Sequence, residues 1–350
     1  MDILNNAIIT NDCIRASVDV SEEELQNFCV GYGDILFQRS SETLEDVGRA
    51  NVYMDDKPAV FGGFVIRGKK KAEFNPLFFR DLLASPFARK KIIPMGAGAQ
   101  HFNIGQEGLN KVKLNFPNLK EQEKIGRFLT LLDKRIATQS KVIDKLQSLI
   151  RGINQRVFMN SGNNYKLGEI CEIRSGYSGS QLLSKKGLKV SRIETISGHK
   201  VNMERVGYVA PFESSENYRL RVGDILFSNI NSVEYIGNTA FIDKDYDLYH
   251  GMNLLRLTPN HMVVIPFYLY LLLNTNRMLN RFKAVCNKAV SQASINQTEL
   301  GKTVVQIPPI KTQEQICELY QALYTKLETE SHTKSLFQNQ KQYLLRQMFI

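Results

Sequence analysis

Two aligned stretches, each opening a long run with little glycine and no further proline, decide the fold of this chain. They are NFPNLKEQEKIGRFLTLLDKRI at 115–136 and QIPPIKTQEQICELYQALYTKL at 306–327. A run of about 40 residues with so few helix-breaking residues predicts one long α-helix in each place. The matching residues, 191 positions apart, are Pro117 with Pro308, Gln122 with Gln313, Glu123 with Glu314, and Leu132 with Leu323.

Working outward from these stretches, the rest of the chain is also written twice. GYGDILFQRSS (31–41) aligns with RVGDILFSNIN (221–231) at an offset of 190. FNPLFFRDLL (74–83) aligns with VIPFYLYLLL (264–273), and NIGQEGLNKVKL (103–114) aligns with SINQTELGKTVV (294–305). Four matches in the same order at a nearly constant offset indicate a tandem duplication.

The part of each copy before its long helix predicts a compact mixed α/β domain. GDILF, AVFGGFVIRG and NLLRLTP are short, rich in β-branched and aromatic residues, and bounded by turn formers, which is typical of strands. Single helices are predicted at 75–85 and 266–280. The predicted organisation is domain one at 1–114, a central helix at 115–160, domain two at 161–305 and a C-terminal helix at 306–350.

The long segments, with helices predicted at 119–158 and 311–349, carry a heptad pattern. Apolar residues of the first helix recur at alternating spacings of four and three, which predicts a narrow coiled-coil seam with one polar member. At 1.5 Å per residue such a helix is about 60 Å long. Packing of each helix on its own domain is the alternative, but the duplication favours an antiparallel coiled coil of the two helices, with one domain at each end. The seam of the first helix consists of Ile125, Leu129, Leu132, Ile136, Gln139, Ile143, Leu146, Ile150, Ile153 and Val157.

The first copy is shortened at its front. In the second copy a long stretch, which opens with YKLGEICEIRSGYSGS, runs from Tyr165 to Gly223. In the first copy only the much shorter stretch 1–32 precedes the matching Gly33, and nothing in it resembles YKLGEI. We therefore expect the first domain to lack the opening segment that the second domain has.

Composition limits the functional class. The 350 residues are 43% hydrophobic and 23% charged, which suits about two folded domains. No apolar run reaches the roughly 18 residues of a membrane span, and the first residues do not resemble a signal peptide. The five cysteines are scattered without metal-site spacing, which predicts reduced thiols in a cytoplasmic protein. A net charge of +10 favours a polyanionic partner such as nucleic acid.

In these features the chain resembles the specificity subunit of type I restriction-modification systems. The residues that carry the resemblance are the P-x-x-x-Q-E-x-I openings at Pro117 and Pro308 and the domain opening Lys166 to Ile170. The resemblance implies two target-recognition domains that each read one half of a split DNA sequence, and helices that set the gap and dock the methyltransferase and restriction subunits. It implies no cofactor on this chain, with S-adenosylmethionine, ATP and Mg on the partner subunits.

The shortened front is a departure from this family pattern. It puts DNA reading by the first domain in doubt.

Candidate DNA-binding residues are polar or basic side chains at matched places in the two copies, together with a basic run after GGFVIRG and the opening loop of the second domain. Amides, hydroxyls and arginine suit base edges, and lysines suit phosphates. Turn and capping roles use the same residue types, and a charge run is often only solvated. The candidates are Gln38, Arg39, Ser40, Lys69, Lys70, Lys71, Gln100, His101, Asn103, Arg174, Ser175, Tyr177, Ser228, Asn229, Asn231, Lys288, Ser291 and Gln292.

Gln122, Glu123, Gln313 and Glu314 are candidate docking residues for partner subunits, although a glutamate in the first helical turn is also explained by capping. No catalytic or metal constellation is found in the sequence, which predicts a non-catalytic subunit. Three alternatives stay open: a truncated product that only docks, a coiled-coil scaffold that does not read DNA, and a self-sufficient DNA-modifying enzyme.

Overall fold

The computed structural model describes residues 2–158, 162–288 and 292–349 and divides into two compact units. The first unit consists of Met1–Ile143 and Thr329–Ile350, and the second consists of Asp144–Glu328. Each unit contains a mixed α/β domain and a part of both long helices. No helix in the described part of the chain is long and apolar enough to cross a membrane.

The first copy begins with short helices and strands and ends in the first long helix. Its helices are α1 Asp2–Asn5, α2 Glu22–Phe28, α3 Pro76–Ala84, α4 Pro86–Ile92, α5 Gln106–Lys111 and α6 Leu119–Val157. Its strands are β1 Cys29–Val30, β2 Ile35–Gln38, β3 Ser40–Ser41, β4 Ala50–Val52, β5 Ala59–Val60, β6 Val65–Gly68 and β7 Phe102–Asn103.

The second copy repeats this order with extra strands at its front. Its helices are α7 Leu167–Ile170, α8 Pro266–Leu273, α9 Asn276–Val285, α10 Gln297–Gly301 and α11 Ile310–Met348. Its strands are β8 Asn163–Lys166, β9 Cys171–Ser175, β10 Leu188–Val190, β11 Gly207–Val209, β12 Ile225–Ser228, β13 Ile230–Asn231, β14 Thr239–Phe241, β15 Leu254–Pro259, β16 Asn287–Lys288, β17 Ala293–Ser294 and β18 Val304–Ile307.

The main antiparallel sheets of the two units match strand for strand except at one edge. The sheet of the first unit has the order β4-β2-β6, whereas that of the second has the order β14-β12-β15-β9. The extra strand β9 follows the YKLGEI opening, which is the part of the sequence that the first copy lacks. Among the described residues, the deficit predicted from the sequence is thus visible as a missing edge strand.

The repeated GDILF sequence forms the same turn and strand in both units. Gly33 and Gly223 have φ angles of 87° and 96°, in the left-handed region where glycine is favoured. Asp34 Oδ2 then accepts a hydrogen bond from the Gly31 amide at 2.9 Å, and Asp224 Oδ2 accepts one from the Arg221 amide at 2.8 Å. Each GDILF turn leads into the strand that lies between two neighbours in its sheet.

The helix predicted at 266–280 is instead two helices, and this correction has a clear cause. The backbone of Thr275 is extended, with φ −69° and ψ 146°. Its hydroxyl donates a hydrogen bond to Leu272 O at the end of α8 and accepts one from the Met278 amide at the start of α9. Ser85 does the same between α3 and α4. All of α8 except Phe267 is buried. The corner between the two helices is therefore shared by both copies of the internal repeat.

The two long helices, α6 and α11, begin and end within one residue of the predicted bounds. Every seam residue of α6 is buried or half-buried, including Gln139. In the first unit Lys341 Nζ lies 2.5 Å from Asp133 Oδ1, and the side-chain amide of Gln139 donates a hydrogen bond to Glu330. In the second unit Tyr320 donates a hydroxyl hydrogen bond to Asn154. Lys341, Glu330 and Tyr320 of α11 thus each contact a residue of α6 within one unit.

Candidate nucleic-acid interface

A polar cavity of about 460 Å³ opens at the β9 edge of the second unit. Arg174 and Arg256 stand directly opposite each other on β9 and β15, which brings two cationic side chains to one face of the sheet. The remaining lining is rich in hydrogen-bonding groups, namely Ser175, Ser214, Asn217, Tyr218, His250 and Gln297. Such a set of donors on a cationic surface suits a phosphate or the acceptor edge of a base.

Arg256 is the most unusual residue of this cavity because it is a cation in an otherwise apolar strand. It is only 8% exposed, and its Nη1 donates to Arg219 O at 3.1 Å. Its Nε has no hydrogen-bond partner among the described residues. Arg174 is exposed and is held by Glu172, with Nε 2.7 Å from the carboxylate. Arg256 thus lines the cavity with a buried Nε that has no partner among the described residues, which is unusual for a charged side chain.

His250 lies beneath the cavity and is 1% exposed. Burial lowers the pKa of His250 to about 4; the charge of Arg256 contributes in the same direction, and the contact with Leu254 O opposes it. The ring is therefore neutral at ordinary pH, and its Nε2 must carry the proton that bonds Leu254 O at 2.9 Å. This histidine supports the cavity wall without adding positive charge.

The first unit has only half of this arrangement. Arg67 occupies the position on β6 that Arg256 occupies on β15, since each faces the matching leucine of the central strand. Arg67 also bonds a carbonyl oxygen, that of Cys29, and its guanidinium lies 5.4 Å from the centroid of the Phe61 ring. With no strand equivalent to β9, the first unit has no counterpart of Arg174 among its described residues.

The predicted residues of the first unit come together in part. Ser40 and Asn103 pair across β3 and β7, and the Ser40 hydroxyl lies 2.5 Å from Asn103 Oδ1. Gln38 donates to Ser40 O, and Arg39 is exposed beside them. Gln100 and His101 are exposed in the turn that precedes β7. The sequence-distant stretches around 38–40 and 100–103 therefore form one surface.

In the second unit the equivalent residues lie on and beside the small sheet β13-β17-β16. Asn231 donates to the buried Ser228 hydroxyl at 3.1 Å, and the buried Asn229 Oδ1 has no partner among the described residues. Lys288 is exposed opposite Ala293, and Gln292 is exposed next to it. Ser291 lies outside the described residues. Ser228 is too deeply buried to meet DNA directly, so its placement favours a supporting role.

The predicted opening loop of the second domain is in part a strand: Arg174 and Ser175 end β9 and line the cavity described above. Tyr177 instead packs in an aromatic cluster, stacked on Phe212 with a centroid distance of 4.1 Å and edge-on to Tyr218. Lys69, Lys70 and Lys71 are exposed in the segment after β6, where Lys70 forms an ion pair with Glu73 at 3.3 Å. Their exposure is equally typical of a solvated run of charges and of a surface that contacts phosphate.

The glutamines at the start of each long helix are clamps within the domain. Gln122 Oε1 accepts from the Asn75 amide at 3.0 Å, and its Nε2 donates to Pro117 O at 2.7 Å. Gln313 Oε1 accepts from the Ile265 amide at 2.8 Å, and its Nε2 donates to Pro308 O at 2.8 Å. Both side chains are buried, whereas Glu123 and Glu314 are exposed. A docking role for the two glutamines is corrected to an internal one; the glutamates remain on the surface.

Sequence reasoning missed Arg256, Asn217, Tyr218 and Gln297. A lone arginine within the apolar run NLLRLTP was the available signal for Arg256, because a buried charge requires a specific partner. Within the described residues, no three His, Cys, Asp or Glu side chains gather as a metal site would require.

Known proteins resemble the chain along most of its length. The family described as type I restriction modification DNA specificity domain matches residues 2–148 and again 161–336. A putative type I restriction enzyme MjaX specificity subunit from Methanocaldococcus jannaschii is 38% identical over 188 residues, 53% of this chain and 44% of that protein. The chain thus spans less than half the length of that relative. The EcoKI specificity subunit from Escherichia coli is 24% identical, over 94% of this chain and 75% of that one.

The fold is also similar to that of solved structures. The S subunit from M. genitalium aligns with a TM-score of 0.56 and 16% identity, over 92% of this chain and 84% of that chain. A second structure, described as showing complex assembly and conformational transition of the type I R-M system, aligns with a TM-score of 0.59 and 18% identity, over 91% of this chain and 81% of that chain. The two successive family matches cover most of the sequence, so the chain belongs to the family of type I restriction-modification specificity subunits.

Proposed function

We propose that this chain is the non-catalytic DNA-recognition subunit of a type I restriction-modification complex and reads a bipartite target. The cavity at the β9 edge carries this proposal, because the exposed Arg174 and the largely buried Arg256 meet several amide and hydroxyl groups there. The net charge of +10 adds non-specific attraction to DNA. The bases that define the target would be read around this cavity and at the β13-β17-β16 sheet.

We propose further that α6 and α11 pair along their length as an antiparallel coiled coil that fixes the gap between two half-sites. The contacts of Asp133 with Lys341, Gln139 with Glu330, and Asn154 with Tyr320 support this pairing within their own units. A spacer of about 60 Å would hold half-site centres less than two duplex turns apart, at about 34 Å per turn.

Partner subunits would supply the chemistry. The methyltransferase and restriction subunits would carry S-adenosylmethionine, ATP and Mg, and this chain would bring them to the target. The exposed Glu123 and Glu314, one turn into each long helix, are the proposed docking residues. Gln122 and Gln313 would keep those helix starts in place from inside the domain.

A second candidate, reading by the second unit alone, is favoured by one observation. In the part of the chain that the structure describes, the first unit lacks the strand equivalent to β9 and with it half of the cavity. In that case the chain would define one half-site and use the first unit chiefly for docking.

Fluorescence anisotropy with labelled duplex DNA, performed on the chain co-purified with its methyltransferase subunit, tests the reader role. Arg174→Gln should weaken target binding about tenfold, as expected for losing one base or phosphate contact worth ~1–3 kcal/mol. Arg221→Gln is the matched control, because Arg221 is exposed in the same unit and does not line the cavity. Equal binding by both variants and the unaltered chain would contradict the assignment of the cavity.

A further inference from the structure

A second cavity in the second unit, of about 530 Å³, is separate from the one assigned to target reading. It lies among the C-terminal part of α6, the α8–α9 corner and β18. Arg151, Arg277 and Arg281 line it, and no acidic side chain belongs to its lining among the described residues. Phe158, Leu272 and Met278 give the same cavity an apolar portion.

The three arginines come from two elements far apart in the sequence, Arg151 from α6 and Arg277 and Arg281 from α9. The cationic character therefore depends on the folded unit and not on a local charge run. Arg281 Nη1 donates to Val304 O at 2.6 Å, and Arg151 Nη2 donates to the Ser148 hydroxyl at 3.0 Å. The guanidinium groups of Arg281 and Arg151 each carry five N–H donors, so these bonds leave further donors on those two side chains. Gln306 also lines the cavity, and its buried Oε1 has no partner among the described residues.

The three arginines of the cavity differ in whether the other copy has a basic residue at the matching position. Arg281 has a structural equivalent in Lys91, whose Nζ donates to Lys113 O at 2.8 Å just as Arg281 donates to Val304 O. Arg277 instead aligns with Phe87, and Arg151 aligns with Gln342 on the other long helix. Two of the three cations are thus absent from the corresponding positions of the other copy.

We infer that this cavity binds a phosphate group, carried either by the DNA backbone or by a free nucleotide. Arginine is well suited to phosphate because its planar fork donates two parallel hydrogen bonds. The volume is within the range of ligand pockets, about 300–1,000 Å³, and the apolar portion can cover a base or sugar. The backbone arm of this inference rests on the proposed function, whereas the nucleotide arm does not.

The test compares the full chain with the Arg151→Gln/Arg277→Gln double variant. Both side chains are exposed, so their replacement should leave the core intact. Arg156→Gln, an exposed arginine on the same helix outside the cavity lining, is the matched control. The Arg151→Lys/Arg277→Lys variant keeps the charge but loses the fork, so it should retain most of the salt dependence.

Two measurements distinguish the source of the phosphate. DNA affinity as a function of salt should lose about two units of log–log slope in the double glutamine variant if both arginines neutralise backbone phosphates. Isothermal titration of the chain alone with ATP, AMP and inorganic phosphate should show binding that the double variant loses if the ligand is a free nucleotide.

Unchanged behaviour of the double variant in both measurements would overturn the inference, and so would an equal loss in Arg156→Gln. If the unaltered chain with its partner binds no DNA at all, the proposed function fails, while the nucleotide titration still decides the cavity. If DNA binding persists with an unchanged slope and no nucleotide binds, the cavity assignment alone fails.

Discussion

Gln122 and Gln313 show at the residue scale how a duplicated side chain can be mistaken for a surface feature. The side chain of Gln122 accepts a hydrogen bond from the backbone amide of Asn75, the residue before α3. The side chain of Gln313 accepts one from the backbone amide of Ile265, the residue before α8. Replacing either by alanine leaves that amide without its acceptor. We expect a loss of about 1–3 kcal/mol in the free energy of unfolding for each variant.

Urea denaturation of Gln122→Ala and Gln313→Ala measures this loss. Glu123→Ala and Glu314→Ala are the controls, because these neighbours are exposed and should change stability by less than about 0.5 kcal/mol. The glutamate variants should instead weaken capture of the methyltransferase subunit. A Gln313→Ala protein as stable as the unaltered chain would contradict the clamp.

His250 predicts a pH dependence of stability in the second unit. Its folded-state pKa of about 4 lies below the ordinary value of about 6.5, so the unfolded chain takes up a proton first as the pH falls. Stability is therefore complete above pH ~6.5 and is lost between pH ~6.5 and ~4, by about 3 kcal/mol at most.

Urea denaturation at pH 7 and pH 4.5 checks this expectation. His250→Gln, whose amide can donate in place of Nε2, should lose less stability between the two pH values than the unaltered chain. His261→Gln, which replaces an exposed histidine of the same unit, should behave like the unaltered chain. An identical pH dependence in all three proteins would show that His250 is not the titrating group.

At the element scale, a network of two buried and two half-buried charges in the first unit explains why Lys341 of α11 is tolerated beside α6. Lys341 contacts Asp133 at 2.5 Å and Asp81 at 3.7 Å, and Arg80 contacts both aspartates at 2.7–2.8 Å. Removing Asp133 takes one carboxylate from the buried Arg80 and the nearest one from Lys341, which is more costly than losing an exposed pair.

Asp133→Asn should therefore reduce the free energy of unfolding by about 3 kcal/mol. A double-mutant cycle with Lys341→Met should give a coupling energy of about 1–3 kcal/mol, measured by urea denaturation. The exposed Glu121–Lys124 pair, 3.4 Å apart on the same helix, is the control and should couple by less than about 1 kcal/mol. Equal coupling energies in both pairs would contradict the idea that the network stabilises the contact between α6 and α11 in the first unit.

The elements that could be predicted from the sequence are those that depend on local patterns. The duplication, both long helices and the shorter stretch before the first GDILF follow from periodicity, proline positions and alignment alone. The break at Thr275 was not predicted, because the apolar run before it favours one continuous helix and nothing in the local sequence marks its hydroxyl as a cap. Arg256 was not predicted, because the cavity forms only when its strand, β15, pairs with β9. These two strands lie far apart in the sequence.

At the scale of the whole molecule, the candidate target-reading surface depends on long-range contacts in both units. Ser40 pairs with Asn103, and Asn231 pairs with Ala293, so each pair joins segments that are far apart in the sequence. The residue types were predictable from the sequence, whereas their exposure depends on the fold. Ser228 and Tyr177 turned inward for this reason, while Arg174 and Lys288 stayed accessible.

Mapping every methylated base in host DNA, after co-expression of this chain with its methyltransferase subunit, tests whether the chain reads a bipartite target. We expect new methylation within a split motif that has two defined halves and a fixed gap. Arg174→Gln should alter one half of that motif and leave the gap unchanged. An unsplit motif, or no new methylation despite a stable complex, would contradict the proposal that this chain reads a bipartite target.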